Sequence, residues 1–260
     1  MTEGGPEVVQ IGSIFLDNVT TDEADAQIKA WLAAADDASG RYVCTPNVDY
    51  VIRSGRDPIF RAAINAANLR VPDGMWIIYA SRLAGRTLRG TVTGRLILPR
   101  FAEYCAGKGL TMGVMGAGPG VAQEAAERLR EDFPGLVIKH AITPPKPFVI
   151  GSAEDEAIVA ALKADPPALL FVSLGAPRQE IWMKAHAAEL APMVLIGVGA
   201  ALDVVAGKVK EAPHWMTRVG LEWFYRLVQE PRRLARRYLW DDPRILGWAV
   251  VTRLRGGRGS

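Results

Sequence analysis

Four short apolar runs constrain this chain more than any other feature. Leu110–Met115, Leu136–Ile142, Ala168–Leu174 and Val194–Val198 are nearly unbroken in hydrophobic residues, with helical patterns at Val121–Asp132, Ala153–Lys163 and Pro177–Leu190 between them. A strand with one wet face alternates polar and apolar residues, whereas a strand apolar throughout is buried on both faces. Strands buried on both faces and joined by helices predict an α/β fold, a parallel sheet flanked by helices. Arg41–Cys44, stopped by Thr45-Pro46-Asn47, and Leu69–Val71, ending at Pro72-Asp73-Gly74, fit as two further strands. Thr20-Thr21-Asp22-Glu23 reads as a capping box opening a helix through Trp31, and a helical pattern resumes over Pro58–Ala67.

Composition narrows the class. With 260 residues, 49% hydrophobic and 23% charged, the chain has the material for a sizeable core. Intrinsic disorder, collagen repeats and small disulfide scaffolds are excluded. Cys44 and Cys105 have no paired spacing, which fits a reducing compartment. The opening MTEGGPEVVQIGSIF lacks the basic start and apolar centre of a signal peptide, and no stretch approaches the ~18–20 apolar residues of a membrane span. The expectation is a cytosolic protein.

Charge is unevenly spread. Lys208–Ser260 carries 12 Lys and Arg against 5 Asp and Glu, a net of +7, while the preceding residues carry 19 against 23, a net of −4. A basic terminal segment calls for an anionic partner such as phosphate, nucleic acid or a membrane surface. Trp215–Trp240 reads as helical and rich in aromatics and arginine; Ile245–Thr252 is apolar but too short to span a bilayer. Together they form a basic amphipathic segment suited to lie on a membrane, with Trp215 and Trp223 candidates for packing onto the body instead.

In open parallel sheets, ligands bind beyond the carboxyl ends of the strands. Four such ends therefore matter: Cys44–Asn47, Val71–Gly74, Gly116–Gly120 and Gly175–Glu180, which one sheet would bring to one cleft. Gly116-Ala117-Gly118-Pro119-Gly120 opens a helix, where small residues let backbone amides approach a phosphate. It departs from the dinucleotide pattern because residue 121 is Val and the next strand ends near Lys139-His140 rather than at an acid. A nucleotide diphosphate fits better than NAD. Asp73, in a tight turn at a strand end, is a candidate general base, and also an ordinary turn residue. Arg178, Gln179 and Glu180 open a helix and are placed to grip a ligand; Glu180 equally suits a helix N-terminus. His140, His186 and His214 share no spacing, so no metal site and no cofactor is expected.

Read together, these segments resemble the WecG/TagA/CpsF family of bacterial glycosyltransferases. The resemblance runs from about Ile11 to about Tyr238 and rests on TPNVDYV (Thr45–Val51), VPDGM (Val71–Met75), VTG (Val92–Gly94), GAGPG and LGAPRQE (Leu174–Glu180). It continues through GVGAALDVVAGKVKEAP (Gly197–Pro213) and GLEWFYRLVQEPRRLARRY (Gly220–Tyr238). It implies a Rossmann-like catalytic domain over 1–207 and a helical, membrane-associating appendage over 208–260. The implied reaction is inverting transfer of a hexose, whether of N-acetylmannosamine type, glucose or a uronic acid. The donor is a UDP-sugar and the acceptor a polyprenyl-diphosphate-linked sugar, in cell-wall or exopolysaccharide synthesis. The implied location is the inner face of the cell membrane, with a homo-oligomer hinted and no nucleic acid involved.

The same resemblance makes Asp73 the base and Thr45, Asn47 and Gln179 pocket residues. Arg226, Arg233 and Arg236 would close over the diphosphate, with Gly116, Ala117, Gly118, Gly175, Ala176, Pro177 and Arg178 on the nucleotide side. Arginines bind phosphate in bidentate fashion and can replace a metal as the electrostatic clamp, so metal-independent chemistry is expected. Two positions depart from the family pattern. Arg-Val-Thr-Gly-Ser-Asp is replaced by Thr91-Val92-Thr93-Gly94-Arg95-Leu96, with Arg89 and Arg95 nearby as substitutes, and Glu211 stands where a basic residue is usual. Two other classes share some of these features: a nucleic-acid-binding protein, and a UDP-sugar-binding regulator that has lost catalysis. If the appendage completes the site at the bilayer, a chain truncated after Pro213 folds but turns over little substrate. Full activity of that truncation in a detergent assay would refute the coupling.

Overall fold

The structure is a computed structural model that describes residues 6–34, 39–210, 216, 222–229, 245–247 and 249. The chain begins with an antiparallel hairpin, β1 (Val8–Ile11) and β2 (Ile14–Asp17), turned at Gly12-Ser13. Helix α1 (Thr21–Ala33) follows, and both arms of the expected capping box are present: Glu23 N–H donates to Thr20 Oγ1 and Thr20 N–H donates to the Glu23 carboxylate.

Six strands then build the main sheet: β3 (Arg41–Cys44), β4 (Leu69–Arg70), β5 (Thr111–Gly116), β6 (Val137–Ile142), β7 (Leu169–Ser173) and β8 (Val194–Gly197). Their spatial order is β4-β3-β8-β7-β5-β6, and every pairing is parallel. All five residues of β7 are buried, as its unbroken apolar sequence requires. Alternation decides which core each joins. Leu169 and Phe171 pack with α1, α5 (Gly94–Lys108), α6 (Val121–Asp132) and α9 (Ala201–Val205). Leu170 and Val172 face the other way, onto α7 (Ala153–Ala164) and α8 (Arg178–His186). The α/β architecture expected from the sequence is the one observed.

A third core lies beside the sheet. The hairpin contributes Val9, Ile11, Ile14 and Leu16, which pack with α2 (Val48–Ser54), α3 (Pro58–Asn65) and α4 (Met75–Leu83). Ile245 and Ala249 complete it, 2% and 0% exposed. The apolar run that begins at Ile245, expected on a membrane surface, thus places two side chains in the body. Their burial against the hairpin core satisfies the same hydrophobic drive that a bilayer would. Of the remaining appendage, helix α10 (Glu222–Gln229) is described, with Phe224 and Val228 exposed one turn apart. Trp215, Trp240 and the side chain of Trp223 lie outside the described residues. Among the described residues no helix is long and apolar enough to cross a membrane.

One ion pair fastens the hairpin to the edge of the main sheet. Asp17, 2% exposed, receives the Arg70 backbone N–H at 2.7 Å, Arg70 Nε at 3.0 Å and Nη2 at 2.8 Å. Removing one partner of such a buried, multiply bonded pair strands the other. Asp17→Ala is expected to cost about 3 kcal/mol of unfolding free energy in urea denaturation; a loss below about 1 kcal/mol would show the hairpin is held by its apolar face alone.

Candidate functional site

Because all six strands run the same way, their carboxyl ends share one edge of the sheet, and short hydrogen bonds join neighbouring ends. Asp73 N–H donates to the Pro46 carbonyl at 2.9 Å, linking the segments after β4 and β3. Thr45 Oγ1 donates to the Gly197 carbonyl at 3.1 Å, linking β3 to β8. Val198 N–H donates to Val172 O at 2.9 Å, and Ser173 Oγ donates to Gly199 O, linking β8 to β7. Ala117 N–H donates to Ser173 O at 2.7 Å, linking β7 to β5. The four segments singled out in the sequence thus lie along one continuous rim.

The predicted residues of the four segments each have a definite place on it. Asp73 is half-buried, just before Gly74, whose φ of +89° turns the chain into α4. Thr45 is 5% exposed and committed to Gly197. Asn47 caps α2, its Oδ1 accepting the Asp49 N–H at 3.0 Å. Gly116, Ala117 and Gly118 form the bend from β5 into α6; Ala117 holds a φ of +61°, a left-handed conformation costly for any residue but glycine. A Cβ on Gly116 would lie 2.3 Å from Ser173 O, so only glycine allows β5 and β7 to end this close together. Gly175, Ala176 and Pro177 carry β7 into α8, and the Ala176 carbonyl accepts Arg53 Nη1 at 3.3 Å. Arg178, the first residue of α8, is exposed. Arg226 lies within α10, but its side chain, like Arg233 and Arg236 entirely, falls outside the described residues.

Gln179 and Glu180 point inward, and both are fully buried. Gln179 Oε1 accepts Gly199 N–H at 3.0 Å, and Gln179 Nε2 donates to Glu180 Oε1 at 2.7 Å. Tyr50 of α2 donates its hydroxyl to the same Oε1 at 2.6 Å. Glu180 Oε2 has no hydrogen-bond partner among the described residues. Burial pushes the Glu180 carboxyl up to about 7, against the hydrogen bonds from Tyr50, its own backbone N–H and Gln179 and the charge of Arg53. Burial likewise pushes the Tyr50 phenol well up, with Glu180, Cys44 and Asp73 adding to it. A Cβ on Gly197 would lie 2.3 Å from Gln179 Nε2, so a bare backbone at the end of β8 makes room for that amide.

Several of these features were not anticipated from the sequence. Tyr50, Ser173, Gly197 and Gly199 belong to the rim; the signal available was Gly197-Val198-Gly199, a glycine-flanked strand end of the same kind as the other four. The start of α5 also reaches it. Val92 N–H donates to Pro72 O at 2.8 Å, and a Cβ on Gly94 would lie 2.7 Å from Val198 O. Arg89, one of the two candidate substitutes for the missing family arginine, is committed elsewhere. Its guanidinium donates to the Asn18 carbonyl and pairs with Glu23 at the start of α1. Arg95 stands in the first turn of α5, next to the rim. The acidic run Glu154-Asp155-Glu156 at the start of α7 packs against α8: buried Asp155 accepts from Trp182 Nε1 at 2.6 Å and from Gly151 N–H at 2.7 Å, and pairs with His186.

Residues 9–259 match the family described as glycosyl transferase WecG/TagA/CpsF. The chain belongs to that family. An N-acetylglucosaminyldiphosphoundecaprenol N-acetyl-beta-D-mannosaminyltransferase of Bacillus spizizenii is 30% identical over 202 residues, 77% of this chain and 76% of the relative. The protein of that name from Bacillus subtilis is 28% identical over the same length. One from Staphylococcus aureus is 26% identical over 228 residues, 88% of this chain and 87% of the relative. The strand-end rim is therefore the candidate active site of a WecG/TagA/CpsF-type glycosyltransferase.

The raised Glu180 makes stability depend on pH. Its folded value of about 7 lies above the ordinary 4.5, so between those values the native state keeps a proton that the unfolded chain has released. Stability is lost as pH rises through that window, and the loss levels off above it. Glu180→Gln removes this titration. Its stability relative to wild type should increase by roughly 2–3 kcal/mol between pH 5 and pH 8 in urea denaturation; a pH-independent difference would contradict the buried-acid assignment.

Proposed function

We propose that this chain transfers an N-acetylmannosamine-type hexose, with inversion, from a UDP-sugar to N-acetylglucosamine carried on a polyprenyl diphosphate. The relatives' names support the sugar and the acceptor. The observation that carries the reading is the placement of Asp73. Its backbone is pinned to the end of β3, its side chain is half-buried, and it shares one rim with the small-residue bend Gly116–Gly118 at the start of α6.

In this reading Asp73 takes the proton from the acceptor hydroxyl as its oxygen attacks the anomeric carbon. The new glycosidic bond forms on the face opposite the leaving group, and the bond to the UDP oxygen breaks with its electron pair. Inversion follows from that single displacement. Backbone amides at the start of α6 face the diphosphate, and Arg226, Arg233 and Arg236 neutralise the charge that builds on UDP. The arginine clamp makes the chemistry metal-independent. Residues 1–207 form the catalytic unit and 208–260 the appendage that delivers the clamp. The basic charge of the appendage and the lipid nature of the acceptor support peripheral association with the inner face of the cell membrane.

The test measures UDP release from a panel of UDP-sugars in detergent, with polyprenyl-diphosphate-linked N-acetylglucosamine as acceptor and EDTA present. Acceptor-dependent release is expected with UDP-N-acetylmannosamine, and Asp73→Asn should lower it by at least ~100-fold. UDP binding without turnover, whatever the donor, would favour the inactive regulator. Activity that appears only when Mg²⁺ or Mn²⁺ is restored would overturn the arginine clamp.

A further inference from the structure

We infer that Glu180 is a positioning residue for the transfer, acting as a neutral carboxylic acid whose carbonyl oxygen aligns Tyr50 and Gln179 behind Asp73. This inference rests on the transferase reading of the rim.

The hydrogen bonds around Glu180 divide its two oxygens. Oε1 receives the Tyr50 hydroxyl at 2.6 Å and the Gln179 amide at 2.7 Å, which fills both lone pairs of a carbonyl oxygen. Oε2 is buried and receives no donor among the described residues. A carboxylate would spread its charge over both oxygens and leave half of it unsolvated in the interior, at great cost. With the proton on Oε2, only a hydroxyl goes unsatisfied, a far smaller penalty. The residue's place in the fold agrees: Glu180 is completely buried, and that burial favours the protonated form.

The charged and titratable groups around it come from several elements. Tyr50 and Arg53 face it from α2 and Tyr42 and Cys44 from β3, and Asp73 interacts electrostatically with Tyr50. The hydrogen bonds from Tyr50 and Gln179 and the charge of Arg53 favour ionisation, but burial outweighs them, and Arg53 is itself half-exposed and paired with Asp49 at 2.8 Å. In the neutral form, Glu180 connects three parts of the site. It holds α2, whose cap is Asn47. Through Gln179 it holds Gly199 at the end of β8. Through Tyr50 it sets the surroundings of Asp73. Its proton is not transferred in the reaction. Ionisation would put a negative charge beside Tyr50, raising the proton affinity of the groups around it and opposing the charge that builds on the departing UDP.

The experiment compares kcat of wild type, Glu180→Gln and Glu180→Ala from pH 6 to 9 in the UDP-release assay. Folding of each variant is checked by thermal unfolding. Glutamine keeps the carbonyl acceptor and cannot ionise. Wild type should lose roughly tenfold in kcat by pH 8 as the acid ionises, whereas Glu180→Gln should hold its pH 6 rate across the range. Glu180→Ala, still folded, should fall at least ~10-fold at pH 6 with little change in KM for the donor. Difference infrared spectroscopy with ¹³C-labelled glutamate gives a second readout: a protonated-carboxyl band at pH 6 that fades at pH 8 and is missing from Glu180→Gln. An alkaline limb shared by wild type and Glu180→Gln, or a folded Glu180→Ala with wild-type kcat, would overturn the inference while leaving the transferase reading intact. Failure of wild type to release UDP at every pH would overturn the transferase reading, and this inference with it.

Discussion

Each parallel pair in the six-stranded sheet requires a crossover, and each crossover lays a helix on one face of the sheet. The strands must then be apolar on both sides, as β7 is along its whole length. Parallel pairing also has a chemical consequence. It sends every strand's carboxyl end to the same edge, so segments as far apart in sequence as Thr45 and Gly197 become hydrogen-bonded neighbours. Asp73 is a candidate base only because it lies on that edge. The candidate site is a product of topology before it is a product of any one side chain.

That edge is held together at close quarters. Glycines at 94, 116 and 197 stand where a Cβ would run into a carbonyl or the Gln179 amide. The protein therefore spends its smallest residues where strand ends approach one another and its polar side chains where backbone groups need partners. Ser173, Thr45 and Gln179 all satisfy backbone atoms of neighbouring segments. Two of the residues expected to line the pocket, Thr45 and Gln179, thus also hold the rim in shape. Glu180 takes this furthest, a buried acid that ties α2 and α8 together without touching solvent.

Much of this was legible in the residues. The apolar runs located the central strands to within a residue or two, the capping box located the start of α1, and the helical pattern over Val121–Asp132 located α6. Other elements were not. The β1–β2 hairpin turns on Gly12-Ser13, a two-residue signal that the opening sequence carries but that is weak without a partner sheet. Helix α5 contains Pro99 and is capped by Thr93, so its start resembles a loop motif and its interior a break. Helices α2 and α4 are short and rest on the hairpin core, a tertiary effect that local pattern does not encode. The run beginning at Ile245 looked suited to a membrane because apolar residues fit a lipid surface or a protein core equally well; the uncovered hairpin face gave Ile245 and Ala249 a place in the body.

What the sequence determined by itself was the class of fold, the strand ends that form the candidate site and, through its motifs, the glycosyltransferase family. Periodicity and cap chemistry are local, and they act over a few residues wherever those residues lie. The order of the strands, the burial of Gln179 and Glu180 and the commitment of Arg89 to α1 were decided only in three dimensions. Each depends on which distant segment comes to rest against the residue. For Glu180 the same carboxyl would be an ordinary helix-start charge in water, and desolvation beneath Tyr50 turns it into an acid that keeps its proton near neutral pH.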